Sequence, residues 1–67
     1  MSFPKLRGAI REKFGTQEAF ATAMKMHPAT LSGRLKGKTD WSKQEMETAA
    51  KLLNISISDL AAYFFTS

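Results

Sequence analysis

Pro28 splits the most helix-prone part of this chain. A proline inside a helical pattern removes a backbone donor, and its ring pushes the preceding residue out of the helical region. Before it, Phe20 and Met24 recur four residues apart; after it, Leu31 and Leu35 do the same. The chain must therefore leave one helix at Lys25-Met26 and enter the next at Pro28, with His27 as its cap. So short a connection cannot lay two long helices side by side, and the pair must cross steeply. A steep crossing needs a small residue at the contact, which Ala21 supplies, and apolar partners around it: Phe20, Met24, Met26, Leu31 and Leu35.

The remainder of the sequence is also punctuated as helices. Leu6, Ile10 and Phe14 form one apolar stripe. Pro4 suits the first turn of that helix, and Gly15 can take the left-handed conformation that ends it. Thr16 is an N-cap for the second helix, with Glu18 in the first turn where the helix dipole favours negative charge. Gly37 closes the third, after Lys36 near its C-terminus. Lys38-Thr39-Asp40-Trp41 reads as a loop in which Trp41 packs on the core. Ser42-Lys43-Gln44-Glu45 is a capping box opening a fourth helix, with Met46, Ala49, Ala50 and Leu53 inward and Asn54 at its end. Ser56-Ile57-Ser58-Asp59 opens a short fifth helix carrying Leu60, Phe64 and Tyr63. Ile55 and Ile57 alternate too briefly for a strand. The expectation is an all-α fold of five helices in a single domain spanning residues 1–67.

A chain of 67 residues has a small core, and with no cysteine it has neither disulfide nor thiolate metal site to reinforce it. Zinc would have to rely on His27 and carboxylates. One histidine and scattered carboxylates do not make a catalytic constellation, so no enzyme activity, small-molecule substrate, metal or cofactor is expected. No stretch approaches the ~20 apolar residues of a membrane span, and Met1-Ser2-Phe3-Pro4-Lys5 lacks the apolar run of a secretory signal. A cytoplasmic location is expected. The net charge of +4 is unevenly spread. Residues 1–39 carry eight cations against Glu12 and Glu18, or +6; residues 40–67 carry Lys43 and Lys51 against four carboxylates, or −2. A basic half beside a mildly acidic one fits a polyanionic partner.

The segment Thr16-Gln17-Glu18-Ala19-Phe20-Ala21, then Leu31, then Leu35-Lys36-Gly37-Lys38, resembles the helix-turn-helix of the phage Cro and repressor family. Ala50-Lys51-Leu52-Leu53-Asn54-Ile55-Ser56 and Asp59-Leu60 resemble that family's closing helices. The likeness covers nearly the whole chain. It is strongest to small Cro-like phage and prophage regulators, through Lys5-Leu6-Arg7-Gly8, Lys13-Phe14-Gly15-Thr16-Gln17 and Tyr63-Phe64-Phe65. The resemblance implies a lambda-repressor-like, five-helix DNA-binding domain. It implies a regulator that represses from double-stranded operator DNA as a homodimer, on the nucleoid in a bacterial host's cytoplasm. The alternative within small helix-turn-helix phage proteins is an antirepressor-like module that binds another repressor. Two departures stand out. The family usually has glycine where this chain has Lys25, and often Gln, Asn or Arg where this chain has Pro28, Ala29 and Thr30, so base reading should be less polar.

The resemblance gives Gln17 a hydrogen bond to a DNA phosphate beside the N–H groups of its helix start. It sends the first turn of the third helix into the major groove. Methyl and methylene groups of Pro28, Ala29 and Thr30 can pack on thymine methyls, and the Thr30 hydroxyl can bond to donors or acceptors. His27 can reach a base edge or phosphate, or act only as a cap. Ser32 and Gly33 lie away from the Leu31–Leu35 stripe, where a bare glycine permits close approach of DNA. Arg34, Lys36, Lys38 and Lys43 are positioned to meet phosphates flanking the groove. So small a domain cannot easily bury every aromatic, so Tyr63, Phe64 and Phe65 are the expected face for a second copy.

Overall fold

The computed structural model describes residues 3–65, and every regular element among them is helical. α1 is Pro4–Phe14, α2 Gln17–Met24, α3 Pro28–Leu35, α4 Lys43–Leu53 and α5 Leu60–Phe64, with a single 3₁₀ turn, Ile57–Asp59, leading into α5. Among the described residues no helix is long and apolar enough to cross a membrane.

Local chemistry fixes the helix starts. Thr16 Oγ1 accepts the Ala19 N–H at 3.1 Å and His27 Nδ1 accepts the Ala29 N–H at 3.0 Å. Ser42 and Glu45 close a full capping box, with bonds of 3.0 and 2.9 Å. Three helix ends share one device. The N–H groups of Met26, Lys38 and Ile55 reach back to Ala21, Gly33 and Ala50 carbonyls, while those of Lys25, Gly37 and Asn54 bond to Thr22, Arg34 and Lys51. This paired pattern requires a left-handed residue just past the helix. Gly37 and Asn54 tolerate that conformation well; Lys25, at φ 58° and ψ 42°, adopts it at a cost of about 1 kcal/mol.

The fifth helix starts later than the sequence pattern implies. Ser56 does not cap it, because its hydroxyl bonds to Ser58 Oγ and Asp59 Oδ2 instead of a backbone N–H. The segment tightens into the 3₁₀ turn, and α5 begins at Leu60.

Phe20, Leu6, Ile10, Leu31 and Leu35 are the largest fully buried side chains; Ala21 and Ala49 are equally buried, and Phe3, Leu53 and Phe64 complete the core. Phe14 meets Phe20 edge-on at 5.2 Å. Trp41 is wedged edge-on between Phe3 at 6.3 Å and Phe64 at 5.1 Å, which buries its indole Nε1 without a hydrogen-bond partner. Phe3 enters the core with a left-handed backbone, φ 52°, just ahead of Pro4.

Two polar contacts tie α3 to its neighbours. Arg7 of α1 donates to the Leu35 carbonyl at 3.0 Å, placing a cation at the negative end of α3. Arg34 grips Glu45 of α4 through Nε and Nη2 at 3.0 and 3.1 Å, and Nη1 donates to Thr39 at 2.6 Å. The Arg34 hydrogen bond holds the Glu45 carboxyl below its ordinary 4.5, against opposing desolvation.

That clasp predicts acid sensitivity of a definite sign. A carboxyl whose folded-state pKa is depressed stabilises above its unfolded value, and the contribution disappears as pH falls through the lower folded value. Glu45→Gln retains the capping box but removes the ion pair. It should lower stability by about 1 kcal/mol near neutrality, a figure reduced for the pair's partial exposure. Denaturation at a series of pH values should show the deficit shrinking below 4.5; a deficit independent of pH would refute the assignment. Gly8 tests helix propensity separately, since it lies exposed in α1 with nothing within 4 Å of an added Cβ. Gly8→Ala should stabilise the protein by roughly 0.5–1 kcal/mol, readable as a higher melting temperature.

Candidate nucleic-acid interface

α3 has a buried inner side and an uncovered opening turn. Leu31 and Leu35 are wholly buried, whereas His27, Pro28, Ala29 and Thr30 are all exposed. Among the described elements, α2 and α3 make the most extensive helix–helix packing. Ala21 and Phe20 of α2 are wholly buried. Pro28 at the first helical position forces His27 into an extended backbone, φ −63° and ψ 139°, which turns its imidazole back onto the Ala29 N–H.

Gln17, the first residue of α2, is exposed. Thr16 takes the Ala19 N–H, while the Gln17 and Glu18 N–H groups lie at the helix start, where no intrahelical acceptor exists. Gln17 shares a shallow concavity of about 170 Å³ with Arg7, Ile10, Arg11, Gly15 and Thr16. The sequence pattern misses this grouping. Arg7 and Arg11, one turn apart on α1, lie beside the positive end of α2 and make the depression suited to an anion. The i, i+4 spacing of two arginines just ahead of a capped helix start is the signal that could have revealed it.

The candidates on the second half of α3 divide. Lys36 and Lys38 are exposed, and Ser32 is half-buried. Gly33 is half-buried and lies beside the loop: a Cβ there would meet Thr39 Oγ1 at 3.5 Å, an ordinary contact. Arg34 does not extend freely toward an outside phosphate, because Glu45 and Thr39 hold its guanidinium. Lys43 is exposed at the first position of α4, but it borders a groove that no α3 residue lines.

The C-terminal aromatics also divide. Phe64 is buried against Trp41 and has no ring face left for a second chain. Tyr63 is half-buried, with Lys5 Nζ 4.8 Å from its ring centroid. Phe65 is 63% exposed. With Ile57, which is 83% exposed, it edges the groove of about 720 Å³ that Met46, Ala50, Ile55 and Leu60 line. Ile57 completes an apolar rim that sequence reasoning attributed to the three aromatics alone.

No curated protein matches the chain. A family model does, over residues 1–67, and its description is Protein of unknown function (DUF739). The chain belongs to the DUF739 family.

Proposed function

We propose that this protein is a sequence-specific regulator that binds operator DNA through a lambda-repressor-like helix-turn-helix formed by α2 and α3. The observation that carries the reading is the exposed opening turn of α3, His27 to Thr30, standing on the buried Leu31–Leu35 stripe. In this mode the first turn meets base edges in the major groove, where Ala29 and Thr30 offer methyl contacts to thymine. Gln17, Arg11 and the α2 start take one phosphate, while Lys36 and Lys38 take others. The surplus of positive charge in residues 1–39 supplies long-range attraction to the duplex.

The same reading takes two copies on a near-palindromic site, with half-sites about one helical turn apart, ~34 Å. The groove edged by Ile57 and Phe65 is the proposed meeting face. It belongs to the half of the chain with net charge −2, so copies can approach there without opposing their basic halves. Lys43, Glu47 and Lys51 alternate in sign along it, which allows carboxylate–ammonium pairing across a two-fold axis.

Selection from random duplexes, followed by gel shifts on the retained sequences, tests the reading; failure to retain any duplex would sink it. Affinity should fall by ~10³-fold or more between about 50 and 200 mM salt if six or so phosphates are contacted. Lys36→Ala and Arg11→Ala should each weaken binding to all sequences alike and reduce the salt slope by about one. Substitution of Ala29 or Thr30 should instead change which sequences are preferred; equal effects on selected and random DNA would move the reading surface elsewhere. Phe65→Glu, at an exposed position, should leave the melting temperature nearly unchanged but shift sedimentation on DNA from two copies to one. Wild-type protein sedimenting as one copy on its selected DNA would refute the paired arrangement.

A further inference from the structure

His27 is the longest polar side chain at the opening of α3, among the short side chains of Pro28, Ala29 and Thr30. Its ring has a task within the protein. Nδ1 accepts the Ala29 N–H at 3.0 Å. A neutral imidazole carries one ring proton, and a nitrogen that accepts a hydrogen bond cannot hold it. The cap therefore selects the tautomer with the proton on Nε2. Nε2 lies across the ring from Nδ1, on the side turned away from the bonded amide, and His27 as a whole is exposed. Pro28 keeps the backbone of His27 extended, so the direction of this N–H is set before any ligand arrives.

We propose, building on the DNA-binding reading, that His27 is a donor-only reading group whose Nε2–H bonds to an acceptor on the duplex. That acceptor is a purine N7, a guanine O6 or a thymine O4 in the major groove, or a phosphate oxygen beside it; amino groups of adenine and cytosine are rejected as direct partners. Capping and reading are thereby one act. The bond that organises the first turn also fixes the polarity of the group displayed beside it. Because the ring is already held, little rotamer freedom is lost when the second bond forms.

Histidine occurs once in the sequence, so ring ¹⁵N–¹H correlation spectra report on His27 alone. At about pH 8, above the ordinary histidine range, the free protein should show the Nε2–H tautomer, and a predominant Nδ1–H form overturns the proposal. His27→Ser keeps an accepting cap but withdraws the ring donor. On duplexes selected by the wild-type protein, this variant should melt as the wild type does and bind about tenfold more weakly, the loss of one hydrogen bond. His27→Ala, which loses cap and donor together, should also melt lower. A His27→Ser loss confined to selected duplexes identifies a base edge, and an equal loss on scrambled duplexes identifies a phosphate; either supports the donor. Undiminished affinity of His27→Ser overturns the proposal while leaving the DNA-binding reading intact. A wild-type protein that retains no duplex overturns both.

Discussion

The packing of α2 against α3 sets where the exposed opening turn of α3 stands. Three residues, Lys25 to His27, connect the two helices. So short a connection holds only if backbone and packing agree. The Lys25 and Met26 N–H groups satisfy the last carbonyls of α2, and Met26 then packs against the core. Burial of Phe20, Leu31 and Leu35 offsets the strain of a left-handed lysine, since each fully buried side chain of this size contributes ~1.5–3 kcal/mol. The stance of the opening turn is thus decided by apolar burial on the inner side of α2 and α3.

α3 is also secured at its far end, by charge. Arg7 binds the Leu35 carbonyl and Arg34 binds Glu45, so helices on both sides restrain the C-terminal half of α3 and leave its first turn uncovered. This division of labour changes what the net charge means. A sum over residues 1–39 treats every cation as available to a polyanion. In the folded protein Arg34 is occupied by a carboxylate, Lys5 lies over the Tyr63 ring and Arg7 bridges α1 to α3. Arg11, Lys25, Lys36 and Lys38 are among the cations that remain exposed.

Local rules explain why much of the fold was legible in the sequence. Thr16, His27, Ser42 with Glu45, Gly37 and Asn54 all act within a few residues of their positions, and the structure has each in its expected capping or terminating role. The apolar stripes were equally readable, because helical period alone brings Leu6 and Ile10, or Leu31 and Leu35, to one side. What escaped depends on distance along the chain. Nothing near Arg7 points to Leu35, 28 residues away, and nothing near Arg34 shows that Glu45 closes on it from α4. Phe64 looks like one of three equivalent aromatics until Trp41 and Phe3 close around it. The late start of α5 had a local cause, but one that competes: Ser56 could cap a helix or bond to Asp59, and it does the latter.

The Arg34–Glu45 clasp narrows how α3 could meet a duplex. With Arg34 tied to α4, a reading surface on α3 would centre on the first turn and the residues flanking it. Pro28, Ala29 and Thr30 have no long side chains with which to reach, so contact with bases would require the α3 backbone itself to come close. Close approach is governed by where the phosphates are gripped, because those contacts fix register and depth. On the DNA-binding reading the Arg7–Arg11–Gln17 concavity would matter to sequence choice without meeting a base. It would set how far the opening turn enters the groove, and the short side chains would then discriminate by fit against methyl groups, with a pre-oriented imidazole N–H as the polar contact among them.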